Sequence, residues 1–148
     1  MLDKIGRKFL VYAILGLLFL SILLVCFLSW KSNPNLGELS WIPRWLSHWG
    51  DLGENSRKRT AIPFFFMGLG VGVVLILTDK KHILTWLKCW ILMILLVVQI
   101  ELGQFLLPTR HPDVKDILWG TLGSGFGLIL VYVIGSFSQK LRKGTVIC

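Results

Sequence analysis

Charge-free apolar runs alternate with short polar stretches along this chain. The first run, FLVYAILGLLFLSILLVCFLSW (9–30), contains no charged residue. About 20 consecutive apolar residues carry a helix across the roughly 30 Å hydrocarbon core of a bilayer, so this run predicts a transmembrane helix. Lys4, Arg7 and Lys8 precede it as they would precede a cleaved signal, but the run is too long and no small-x-small cleavage site follows. Three more candidates are AIPFFFMGLGVGVVLIL (61–77), ILTWLKCWILMILLVVQIELGQFLL (83–107) and ILWGTLGSGFGLILVYVIGSF (117–137). Pro63 stands at the start of the second, where a missing N–H costs little. Period-two alternation is absent, which argues against a membrane β-barrel. The expected fold is an all-α membrane protein, a single domain over residues 1–148 built as a four-transmembrane-helix bundle.

The polar stretches refine this picture. Between the first two helices lies WIPRWLSHWG (41–50), where Trp41, Trp45 and Trp49 recur every four residues. On a helix they would form one stripe, and indole favours the headgroup level, so a Trp-rich interfacial segment is expected here. A Trp-rich lid packed on the helix ends is the alternative. Trp30 and Trp119 belong at the same level, Trp86 and Trp90 near the opposite one. Four helices put both termini on one side. That side carries nine Lys/Arg (Lys4, Arg7, Lys8, Lys80, Lys81, Lys88, Lys140, Arg142, Lys143) against seven on the other (Lys31, Arg44, Arg57, Lys58, Arg59, Arg110, Lys115). The positive-inside rule then favours cytoplasmic termini by a small margin. In that orientation the 32–60 loop and the 108–116 turn face outward.

Composition narrows the function classes. The 148 residues are 54% apolar with a net charge of +8. Basic residues flanking membrane helices account for that charge, and nothing resembles a nucleic-acid-binding module. Cys26 and Cys89 fall in helices and Cys148 is the last residue, so there is neither a disulfide framework nor a prenylation box. His48, His82 and His111 are scattered, and no metal-ligand spacing or cofactor motif is present.

The candidate chemistry sits in IELGQFLLPTRHPDVKD (100–116), which starts in an apolar run and ends in charges. Charge within a bilayer is costly, so such residues face protein or water and have partners. Roughly 18 residues at about 1.5 Å each from Ile83 put Glu101 near the edge of the hydrocarbon. Glu101 and Gln104 are i, i+3 and share a helix face. Pro108 ends the helix, and Arg110 has two readings, a latch paired with Glu101 that closes the hairpin or part of a functional site. Asp113 and Asp116 flank the start of the fourth helix, where carboxylates cap free N–H groups. Gly120, Gly123 and Gly127 continue the face of Asp116 as a smooth strip for close helix packing, and Gly68 and Gly72 form a second strip.

The pattern E-x-x-Q-x-x-x-P-x-R-x-x-D-x-x-D followed by G-x-x-x-G, met here as Glu101, Gln104, Pro108, Arg110, Asp113, Asp116, Gly123 and Gly127, resembles the signature of the VanZ-like family of small bacterial membrane proteins. The family often carries Asn where this chain has Gly120. An upstream Asp-Lys-x-x-His pattern is also missing, and Asp51, Asn55, Arg57 and Arg59 are the nearest polar candidates. The resemblance implies a multi-pass protein of a bacterial cell membrane with an outward-facing site. It further implies a role in envelope or lipid-linked cell-wall chemistry, the family being named for a protein associated with teicoplanin resistance.

Three functions remain open from the sequence. The site binds an anionic lipid headgroup or a lipid-linked cell-wall intermediate, with Arg110, Arg57 and Arg59 on phosphate. Or the polar cluster only fixes the helix hairpin of a scaffold, whose partners would be membrane lipids or an envelope protein. Or the chain is a membrane hydrolase or transferase using Glu101 or Asp116, although no Ser or Cys nucleophile motif accompanies them.

Overall fold

A computed structural model describes residues 4–144, apart from the side chains of Ser56 and of 138–144. Cys148 thus lies outside the described residues, as do the Lys140, Arg142 and Lys143 side chains. The elements are α1 (Lys4–Ser29), α2 (Arg44–Asp51), α3 (Ser56–Leu77), α4 (Ile83–Gly103) and α5 (Val114–Gly144), with single 3-10 turns at Leu36–Glu38, Gly53–Asn55 and Gln104–Leu106. No strand occurs among the described residues. Four helices, α1, α3, α4 and α5, are long and apolar enough to cross a membrane.

Three of the four long helices, α1, α3 and α5, start earlier than their apolar runs. A helix continues through polar residues as long as they reach water, so α3 takes in Ser56–Thr60 and α5 takes in Val114–Asp116. Pro63 therefore lies inside α3 rather than at its start. Its ring leaves the Arg59 carbonyl without its i+4 donor, one to two turns from the polar end, where water or side chains can serve instead. The three-indole stripe is also shortened. Pro43, extended at ψ 137°, precedes the first residue of α2, and a residue before proline avoids the helical region, so Trp41 falls outside the helix that carries Trp45 and Trp49.

The most extensive packing is α3 against α5; α1 lies on α3 and α4 on α5. Phe64, Met67 and Leu75 of α3, Met93, Val97 and Ile100 of α4, and Leu128 and Val131 of α5 form the core. α1 buries no residue completely and contributes Leu18, Ile22, Val25 and Cys26 as a half-buried edge. Its other face, including Phe9, Tyr12 and Phe19, is exposed, as suits a helix bordered by lipid.

The α3–α5 seam depends on missing side chains. Gly123 lies against the Ala61 carbonyl and Gly68 against that of Ser124. A Cβ on Gly127 would stand 2.8 Å from the Leu69 nitrogen and nearer still to the Phe65 carbonyl oxygen. Neither neighbour can move without moving its helix, so backbone meets backbone, the geometry that small-residue strips permit in membranes.

The start of α1 and the α3–α4 turn share one end of the bundle. α3 closes with a Schellman pattern, in which Lys80 N–H donates to the Leu75 carbonyl at 2.9 Å and Asp79 N–H to that of Ile76 at 3.1 Å. Asp79 takes the left-handed conformation this closure needs, at φ 56°. Its carboxylate accepts a 2.7 Å charged hydrogen bond from Arg7. The other end gathers the 30–55 loop, the start of α3, the end of α4 and the start of α5.

Gly127→Leu is expected to lower unfolding stability in detergent by about 1–3 kcal/mol or more, the cost of overpacking a close contact. Gly16→Leu meets nothing within 4 Å and is expected to leave the melting temperature unchanged. Equal melting temperatures for the two variants would contradict the backbone seam.

Candidate functional site

Glu101 is in the last turn of α4 and Gln104 in the 3-10 turn that follows, and they are 4% and 8% exposed. Gln104 Nε2 donates to Glu101 Oε2 at 3.1 Å, so the i, i+3 relation is used directly. Ile100, one residue before, presents its carbonyl to Trp30 Nε1 at 3.0 Å, which joins the end of α1 to the end of α4. Gly103 is the seat of that indole and has no room for a side chain.

Arg110 departs from its expected role. Among the described residues it forms no ion pair with Glu101. Its Nε donates to the Lys31 carbonyl at 3.0 Å and its Nη2 to the Leu28 carbonyl at 3.3 Å. Thr109 Oγ1 reinforces this by donating to the Ser32 carbonyl at 2.6 Å. The reason is the end of α1: its last carbonyls have no intrahelical donors, it has no basic residue in its final turn, and its dipole attracts a cation there. The latch thus ties the α4–α5 turn to α1 rather than Arg110 to Glu101. Burial and the nearby Arg59 push the Arg110 pKa down from its ordinary value, and Glu101 pushes it back up, so the two remain electrostatic neighbours.

Asp113 and Asp116 divide the work at the start of α5. Asp113 is the cap: its Oδ1 accepts from Lys115 N–H at 2.8 Å, and its carbonyl accepts from Asp116 N–H at 2.9 Å. Asp116 lies one turn deeper and half buried, and its Oδ1 is buried without a hydrogen-bond partner among the described residues. Asp113 and Asp116 both act electrostatically on Glu101, and Arg57 and Arg59 act on Asp116. Glu101, Asp113 and Asp116 thus share one electrostatic neighbourhood with Arg57, Arg59 and Arg110.

The upstream candidates mostly fasten the loop. Asp51 accepts from the Leu36 and Gly37 N–H groups at 2.8 and 3.0 Å and faces Arg59 at 3.9 Å. Asn55 donates to the Trp49 carbonyl at 2.9 Å and accepts from Lys58. Arg59 donates to the Gly50 and Pro34 carbonyls, both at 3.2 Å. Arg57 is exposed and makes no hydrogen bond or close ion pair among the described residues. Gly120 is packed by Val97, whose methyls lie 3.0 Å from where a Cβ would stand, and by Thr60; a hydrophobic contact fills the place of a polar side chain. Among the described residues no three His, Cys, Asp or Glu side chains come together as metal ligands.

The model of the VanZ/LLP1 family matches residues 6–135. The chain belongs to that family. Its match spans all four apolar helices and the whole polar end, so the chain is a VanZ-like membrane protein. No curated protein and no solved structure matches it. Thr109, Trp30 and the terminal carbonyls of α1 are the parts of this VanZ-like end that the family-type pattern in residues 101–127 does not contain.

Replacing Arg110 by Gln is expected to lower unfolding stability by about 1–3 kcal/mol, the usual worth of hydrogen bonds from a charged group. Arg110→Lys should recover only part of this, since a single ammonium does not reproduce the two-point guanidinium contact. Denaturant unfolding in detergent measures both, and a parent-like midpoint for Arg110→Gln would exclude the helix-end clasp.

Proposed function

We propose that this VanZ-like protein spans the cell membrane of a bacterium four times with cytoplasmic termini, and that its polar end faces outward to bind an anionic headgroup. The ligand would be a phospholipid or a lipid-linked cell-wall intermediate, and the role a part in the envelope response to glycopeptides such as teicoplanin. One observation carries the reading. Arg57, Lys58 and Arg59 occupy the first turn of α3, where the positive end of the helix dipole disfavours cations and favours anions. Asp51 and Asp116 offset part of this charge, while the Arg57 side chain makes no hydrogen bond among the described residues. A phosphate settling there gains the dipole, the Arg57 fork and the second terminal nitrogen of Arg110.

Support for the orientation is the nine-to-seven Lys/Arg division between the two ends. Trp45 and Trp41, 73% and 59% exposed, stand beside this end and suit the headgroup level of a bilayer. The carboxylates of Glu101 and Asp116 would then orient the basic groups rather than react.

A scaffold reading draws on a different observation, the bonds of Arg110 to α1. In that reading the cluster holds the hairpin to the first helix and recognises no headgroup. Arg57 separates the two, because its side chain makes no hydrogen bond or close ion pair among the described residues. Arg57→Ala is expected to weaken undecaprenyl phosphate binding to purified protein about tenfold while the melting temperature stays constant. A deletion strain should become more sensitive to teicoplanin and be rescued by the parent gene but not by Arg57→Ala. Parent-like binding by Arg57→Ala would leave the scaffold reading standing.

A further inference from the structure

The opposite end of the bundle holds a second set of donors that the fold does not use. A half-open cavity of about 220 Å³ lies between the end of α3, the start of α4 and the last third of α5. Trp86 and Tyr132 form its aromatic wall, with ring centroids 5.1 Å apart and planes at 76°. Trp86 Nε1 is already engaged, donating to the Lys80 carbonyl at 2.8 Å. Lys80, Lys81, Tyr132 and Ser136 also line this cavity, and none of their side chains makes a hydrogen bond or ion pair among the described residues. Tyr132 and Ser136 are i, i+4 on α5, so their hydroxyls share a face.

We propose that this cavity is a binding site for a phosphate-bearing ligand, held by Lys80, Lys81, Tyr132 and Ser136. Two ammonium groups supply charge-assisted hydrogen bonds and two hydroxyls supply neutral ones, a set that matches the several acceptor oxygens of a phosphate. The competing charges are neutralised. Asp79, the acidic residue of the lining, is engaged by Arg7 at 2.7 Å. Two carbonyls at the end of α3, those of Leu75 and Ile76, are closed by the Lys80 and Asp79 N–H groups. The N-terminus of α4 adds the positive end of its dipole beside the two lysines. The site lies at a helix-end level, so its phosphate could belong to an anionic phospholipid of that leaflet or to a soluble phosphorylated molecule. It stands apart from the headgroup site proposed above and does not depend on it.

Isothermal calorimetry on the full-length protein in neutral detergent distinguishes the sources, with short-chain phosphatidylglycerol and inorganic phosphate as probes. Saturable binding of phosphatidylglycerol alone assigns a lipid headgroup, and binding of inorganic phosphate assigns a soluble source. In either case Lys80→Gln with Lys81→Gln is expected to weaken binding about tenfold or more, and Tyr132→Phe with Ser136→Ala about threefold or more. These positions lie on the exposed rim, and unchanged helicity by circular dichroism verifies folding. Binding of neither probe, or binding that the lysine pair leaves unchanged because it occurs elsewhere, overturns the assignment.

Discussion

The approach of α3 to α5 sets the position of everything at the polar end. Ala61 and Phe65 carbonyls of α3 rest on Gly123 and Gly127 of α5, and the Ser124 carbonyl of α5 rests on Gly68 of α3. In lipid, helices gain little from burying apolar surface against one another, so packing at this distance carries much of their association. The seam has a consequence one to two turns further along both helices. Arg57 and Arg59 at the start of α3 come within electrostatic range of Asp116 at the start of α5. α4, lying on α5, then delivers Glu101 and Gln104 to the same end. A side chain at Gly123 or Gly127 would separate the cations from the carboxylates as well as loosen the core.

Helix dipoles explain why this end is rich in charge. Two helix C-termini, those of α1 and α4, and two N-termini, those of α3 and α5, meet there. Arg110 serves the end of α1, and Asp113 caps the start of α5, each with the sign the dipole favours. Arg57, Lys58 and Arg59 carry the opposite sign from the one the start of α3 favours. A residue pattern set only by helix stability would place acids there, so this cationic turn is where a demand other than folding is legible.

Four apolar helices and the i, i+3 pairing of Glu101 with Gln104 could be read from the sequence because each follows from spacing along one segment. The glycine strips were equally visible, since Gly120, Gly123 and Gly127 recur on one helix face. The partner of Arg110 was not. Glu101 is the nearest acid in sequence, whereas the true acceptors are main-chain carbonyls of Leu28 and Lys31, about 80 residues away, with sequence separations of 82 and 79. Backbone carbonyls leave no mark in a residue pattern, and only the four-helix topology brings the end of α1 beside the 107–113 turn. Knowing that α1 ends without a basic residue was the available signal. The early starts of α3 and α5 were hidden for another reason. Hydropathy locates the hydrocarbon, while hydrogen bonding decides where a helix begins.

The two ends of the bundle resolve their charge in opposite ways. At the polar end Arg59 and Arg110 are engaged by backbone carbonyls, and Lys31 by Glu38 at 3.0 Å, so most of the basic groups are already structural. Arg57, in the first turn of α3, is not among them: its side chain makes no hydrogen bond or close ion pair among the described residues. At the far end the carbonyls are closed by α3's own terminal N–H groups and the one lining acid by Arg7. Lys80 and Lys81 are thereby left with no structural duty. Counting Lys and Arg along the sequence treats both ends alike, as nine against seven. Counting the donors still unengaged among the described residues shifts the emphasis: most basic groups at the end with the conspicuous acid–base signature are tied to the fold, while both lysines of the plain Asp-Lys-Lys-His turn make no side-chain hydrogen bond or ion pair.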